Sequence, residues 1–140
     1  MRMSRIWILL VLVLLLPAAA QPKTPTPGEK EALAWLKVVD AGQYAKSYQL
    51  ASPLMRDQTL NQVDPYVTTM RDIRHPLGRL VKRRLKSVES DTGYPYKGYT
   101  RSPLVFLQFE STFENKTAVE TVKLVQEESG AWKVYFYMVI

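Results

Sequence analysis

The densest run of chemically active side chains is basic. Arg71, Arg74, Arg79, Lys82, Arg83, Arg84 and Lys86 put seven cations into 16 residues, opposed only by Asp72. Such a cluster can hold an anionic surface or polymer. If the segment from residue 80 is a strand, Lys82, Arg84 and Lys86 share one face and Val81, Arg83 and Leu85 the other. The same row also reads as a solvated outer face that discourages edge-to-edge strand pairing. No aromatic ring interleaves the cations to stack on bases, so nucleic acid is not an expected partner.

The second group is aromatic. Tyr94, Tyr96 and Tyr99 crowd the stretch from Gly93 to Tyr99, where exposed rings would supply rigid, amphipathic contact area for a partner. They could equally cover the open end of a sheet. Catalytic groups are sparse. His75 is the single histidine and there is no cysteine, so no metal pair can form and no metal or cofactor is expected. Next to Pro76, His75 reads as a helix-end residue facing the carboxyl end of the dipole. No serine sits in the glycine-flanked turn that exposes a nucleophile, and the six glycines are scattered singly, which leaves no phosphate-cradling loop. The one local pairing of a carboxylate with tyrosine donors is Asp40 with Tyr44 or Tyr48. Asp40-Ala41-Gly42 reads more simply as a turn in which Asp40 binds backbone amides. No catalytic residue is assigned.

The elements that must position these groups follow from periodicity. Ala32, Trp35, Leu36 and Val39 recur at helical spacing, with Glu29, Lys30, Glu31 and Lys37 on the opposite side. Tyr44, Tyr48 and Ala51 repeat that spacing in a short second helix. Ser52-Pro53 and Asp64-Pro65 are further helix starts, the second carrying Tyr66, Val67, Met70 and Ile73. After residue 79 the pattern changes to strands. Val105, Leu107, Phe109 and Phe113 alternate with more polar neighbours, giving a face apolar apart from Ser111. Trp132, Val134, Phe136, Met138 and Ile140 are expected to form the matching face of the last strand. Breaks at Asn115-Lys116 and Glu128-Ser129-Gly130 imply strands over residues 104–114, 117–127 and 131–139, with residues 79–90 as a fourth. Helices followed by a meander predict an α+β domain, its N-terminal helices packed on one face of a curved four-stranded antiparallel sheet.

The remaining segments bear on location. Arg2 and Arg5 precede an apolar run of 11 residues, Ile6 to Leu16, followed by Pro17 and three alanines. That is the pattern of a secretory signal peptide over residues 1–20, cleaved after Ala20. The run is shorter than the roughly 20 residues that span a bilayer as a helix. Pro22, Pro25 and Pro27 make residues 21–28 an extended tether, and residues 29–140 form one domain. Without a cysteine there is no site for a lipid anchor, and the lack of disulfides favours the bacterial periplasm. Losing Arg2 and Arg5 lowers the formal charge from +6 to +4.

Several ordered segments resemble a bacterial family catalogued as domain of unknown function 4019. They are Ala34-Trp35-Leu36, Val39 to Tyr44, Ser47-Tyr48, Ala51 to Leu54, Arg74 to Gly78, and Val81, Arg83 and Leu85 to Ser87. Phe109 to Lys116, Glu120-Thr121-Val122 and Gly130 to Val134 complete the likeness, which spans residues 32–137. The resemblance implies a small secreted domain with a cystatin-like or nuclear-transport-factor-2-like cone, and it brings no catalytic residues. Cones of this kind host isomerases and dehydratases as well as binding modules, so shape alone does not select an activity. The expectation is a periplasmic or secreted non-catalytic binding or interaction domain, its partner a protein or an anionic envelope component. The alternatives are an envelope protein contacting anionic lipid or cell-wall polymer through the basic surface, and a small-molecule isomerase or dehydratase working in the cone.

Overall fold

A computed structural model describes residues 24–140; the expected leader (1–20) and the first tether residues (21–23) lie outside that range. Helix α1 (Glu29–Asp40) forms because its buried residues are Ala32, Trp35, Leu36 and Val39, the apolar stripe read from the sequence. Gly28 caps it with φ +74°, and a Cβ there would come within 2.8 Å of Val105 Cγ1. A side chain at this position would therefore be strained by its backbone and blocked by the sheet. Helix α2 (Tyr44–Leu50) is tied to α1 by the Trp35 indole, which donates to the Ser47 carbonyl at 2.9 Å. Ser52 then caps α3 (Pro53–Gln58): its hydroxyl accepts from the Leu54 amide and donates to Glu127, while its own amide donates to the Val134 carbonyl. Helix α4 (Val63–Arg74) carries Pro65 in its first turn, where a missing N–H costs nothing, and buries Tyr66 and Met70. A single 3₁₀ turn (His75–Leu77) leads into the sheet.

The sheet is an antiparallel meander of β1 (Leu80–Thr92), β2 (Pro103–Phe113), β3 (Thr117–Gln126) and β4 (Trp132–Val139), paired in chain order. Helices on its inner face complete the α+β architecture. The main core joins Trp35, Leu36, Met70 and Tyr66 to Val105, Leu107, Phe109, Val122, Leu124 and Val134. At roughly 1.5–3 kcal/mol for each fully buried large apolar side chain, this layer is the principal stabilising contribution. A second cluster, on Leu104, Val125, Tyr135 and Leu54, is covered by Tyr94 and Tyr99.

Two register shifts change the faces expected from alternation. In β4, Lys123 pairs with Phe136 but Leu124 pairs with Val134, so Tyr135 is an extra residue. Trp132 and Val134 face the helices, the parity then reverses, and Tyr137 takes the inner position while Phe136 and Met138 face outward. The single apolar face expected for Trp132, Val134, Phe136, Met138 and Ile140 is thereby corrected. In β1, Leu80 pairs with Phe113 and Lys82 with Thr112, which leaves Val81 as a bulge, 67% exposed, instead of sharing a face with Arg83 and Leu85. Lys86 is a second bulge, between Leu85 and Ser87.

Candidate functional site

The middle of the sheet's inner face is apolar, and a polar cluster stands at one end. There each strand contributes one polar side chain: Arg83 from β1, Ser111 from β2, Glu120 from β3 and Tyr137 from β4. Asp40, the last residue of α1, and Arg74, the last of α4, reach the same point. Arg74 bridges the two carboxylates, with 2.6 Å to Asp40 Oδ1 and 2.6 Å to Glu120 Oε1. Arg83 bridges them again, its Nη1 at 2.8 Å from Asp40 Oδ2 and its Nε at 2.7 Å from Glu120 Oε2.

Glu120 is fully buried and accepts four hydrogen bonds. The Arg74 guanidinium and the Tyr137 hydroxyl donate to Oε1, and Arg83 and Ser111 donate to Oε2. Tyr137 in turn accepts from Arg74 at 2.9 Å, and the Arg74 guanidinium lies 4.7 Å above the Phe113 ring. Two positive and two negative charges close a neutral circuit, and among the described residues no buried side-chain polar atom lacks a partner. That completeness is what allows ions to be buried here, since an uncompensated charge would be prohibitively costly.

Burial raises the Tyr137 pKa well above the ordinary phenol range, and the Glu120 charge adds to this, so the ring holds its proton. Burial opposes the charges on Arg74 and Arg83. For Arg74 the Tyr137 hydroxyl, Glu120 and Asp40 outweigh it, and for Arg83 the hydrogen bonds to Asp40 and Glu120 do, so both pKa values end up raised. Asp40, 19% exposed, lines a shallow cleft of about 270 Å³ with Tyr44, Arg74, His75, Gly78, Arg79 and Glu114.

The structure divides the basic run. Arg74 and Arg83 leave the surface for the network, while Arg79 pairs with Glu114 at 2.6 Å and Arg84 with Glu110 at 2.7 Å on the outside. Arg71, Lys82 and Lys86 are exposed and have no ion pair among the described residues. Asp40 holds two guanidinium groups, which corrects its expected role of binding turn amides, and Tyr48 donates or accepts at Thr59, away from Asp40. His75 stands exposed at the end of α4.

The tyrosine loop splits as well. Tyr94 packs edge-on against Tyr135 at 5.1 Å and the Tyr99 hydroxyl donates to Glu127, so these two cover the sheet. Tyr96, 45% exposed, is the member that offers surface. Glu120 and Tyr137 were not singled out by sequence reasoning. The available signal was a carboxylate standing in the apolar row Ala118, Glu120, Val122, Leu124, beside the equally anomalous Ser111. Among the described residues, no group of three or more His, Cys, Asp or Glu side chains is placed to hold a metal ion.

The fold and site define a small α+β domain whose helix ends are locked to its sheet by a buried, charge-balanced network. The chain belongs to the family described as "Protein of unknown function (DUF4019)", whose family model matches residues 31–137. No curated protein and no solved structure matches the chain. Among the described residues, no helix is long and apolar enough to cross a membrane.

Proposed function

We propose that the chain is exported and acts as a non-catalytic interaction domain, meeting a macromolecular partner through its surface. The observation that carries this reading is the closure of the network: Asp40, Arg74, Arg83, Ser111, Glu120 and Tyr137 are each committed to another member. General acid–base chemistry needs a group poised to exchange a proton with a substrate, and both Tyr137 and the two arginines are held in one protonation state. Beside them the Trp35 and Tyr137 rings pack 5.4 Å apart. Export is supported by the signal-peptide pattern of residues 1–20.

The outer side of the sheet favours contact with a partner. Helices cover the inner face, and across the outer face Phe106, Lys123 and Phe136 stand in one row, the Lys123 ammonium 5.0 and 4.7 Å from the two rings. Met138 is exposed on the same face, and exposed Tyr96 lies in the loop whose Tyr94 and Tyr99 pack against this side of the sheet. The alternative of an anionic surface held by the basic run draws less support, because among the described residues only three of its seven cations remain outside ion pairs.

The test compares the native and denatured masses of the protein purified from its own host. The native mass is expected to be a clean multiple of the chain mass, or that multiple plus a protein partner. A retained surplus of small-molecule size would overturn the reading and move attention into the cone.

A further inference from the structure

The two edges of the sheet are unequal. Against β4 lies Ser52, whose amide donates to the Val134 carbonyl, whereas β1, 13 residues long, pairs only with β2 among the described residues. A strand edge left open presents unpaired N–H and C=O groups, a template for another strand. We infer that β1 pairs antiparallel with β1 of a second copy, about a two-fold axis perpendicular to the sheet and passing between Lys86 and Ser87. The inference is independent of the function proposed above, since a dimer would simply carry two copies of any binding surface.

The bulge at Lys86 fixes the position of the axis. Opposed residues of paired strands point to the same face. The register with β2 turns Arg83, Leu85, Val88 and Ser90 inward and Lys82, Arg84, Glu89 and Asp91 outward, so the alternation of β1 reverses at Lys86. An axis at that reversal keeps inward residues opposite inward ones on both sides; moving it one residue toward Val88 sets outward Ser87 against inward Val88, and moving it one residue the other way sets Leu85 against the bulged Lys86.

This placement, set by faces alone, also makes the charges complementary. Leu85 falls opposite Val88, Arg84 opposite Glu89, Arg83 opposite Ser90 and Lys82 opposite Asp91. The basic half of β1 therefore meets the acidic half of its copy, and two-fold symmetry repeats each pair. Val88, which is 40% exposed in the single chain, would be covered by Leu85 of the second copy. The two Lys86 side chains lie diagonally across the axis and have room to extend into solvent. A parallel arrangement in the same register would set like charges against each other.

Two variants of the full chain test this together. Glu89→Arg with Asp91→Lys makes β1 wholly basic, and Lys82→Asp with Arg84→Glu reverses its other half. Wild type is expected at twice the chain mass by sedimentation and native mass, each variant alone at the single-chain mass, and an equimolar mixture as a heterodimer. A wild type that stays monomeric up to about 1 mM would overturn the inference, as would variants that dimerise as wild type does.

A second measurement does not rely on charge reversal. The chain contains no cysteine, so Arg84→Cys with Glu89→Cys should cross-link two copies on mild oxidation, because opposed positions bring Cα atoms within disulfide range. Arg84→Cys alone should not, since like positions in the two copies stand about 16 Å apart, five residues of strand rise. Efficient cross-linking of the single variant, or none of the double, would refute the proposed register.

Discussion

Replacing Glu120 by glutamine changes the network with almost no change of shape. It removes one negative charge and turns one of the two acceptor oxygens into an NH₂ donor. Whichever way the amide settles, the NH₂ faces one guanidinium that cannot accept, Arg74 or Arg83, and one hydroxyl that can turn to accept, Tyr137 or Ser111. At least one of the four hydrogen bonds is lost, the one from a guanidinium, and two buried guanidinium groups are left with Asp40 as their only carboxylate. Breaking a buried ion pair by removing one partner costs about 3–5 kcal/mol. Against a total stability of roughly 5–15 kcal/mol, and at about 4 °C per kcal/mol for a domain of this size, the Tm should fall by about 12–20 °C.

Urea unfolding followed by the fluorescence of Trp35, which packs on Tyr137, should show a lower midpoint with an unchanged slope. Arg83→Met combined with Glu120→Gln should cost less than the sum of the two single changes, because each alone strands the other's charge. A loss below about 1 kcal/mol for Glu120→Gln would refute the argument, since that is the range of exposed pairs and not of a closed buried circuit.

Burial pushes the Tyr66 phenol up to about 12, with the Ser47 hydrogen bond opposing. A folded pKa above the unfolded value of about 10 gives stability that is complete below pH 10 and declines as pH rises toward 12; urea midpoints across that interval should fall steeply for wild type and less for Tyr66→Phe. Gly28→Ala should destabilise by about 2 kcal/mol or more in thermal melts, because the left-handed backbone and the 2.8 Å approach to Val105 act together. Ser52→Ala should cost about 1–3 kcal/mol by the same assay, removing the α3 cap and a partner of Glu127. In contrast, Lys82→Ser with Lys86→Ser should leave the denaturation midpoint of the monomer nearly unchanged, since neither side chain has an ion pair to lose.

What could be read from the sequence was whatever is decided locally. The stripe Ala32, Trp35, Leu36, Val39 makes a helix wherever it is placed, Ser52-Pro53 carries its own cap, and the turn at Asn115-Lys116 separates two strands by residue type alone. Strict alternation failed at Tyr135 and Val81, where one extra residue reverses the face of everything beyond it and no residue type announces the shift. The network was hidden for a different reason. Arg74 meets Glu120 across 46 residues and Asp40 across 34, so its members come together only when the helix ends dock on the finished sheet. A dense basic run therefore read as surface, although two of its arginines are interior. The sequence did carry a trace of them, in the polar Ser111 standing within an otherwise apolar face.

The circuit of Arg74, Arg83, Asp40 and Glu120 should keep the interior charges closed to one another and to ligands. Side-chain NMR of the ¹⁵N-arginine-labelled protein tests it most directly, with exposed Arg79 and Arg84 as internal references. The Arg74 and Arg83 guanidinium signals should exchange slowly with solvent and stay in place as phosphate or acetate is added. Exchange as fast as that of Arg79, or a saturable shift with either anion, would contradict the account and mark the network as a binding site.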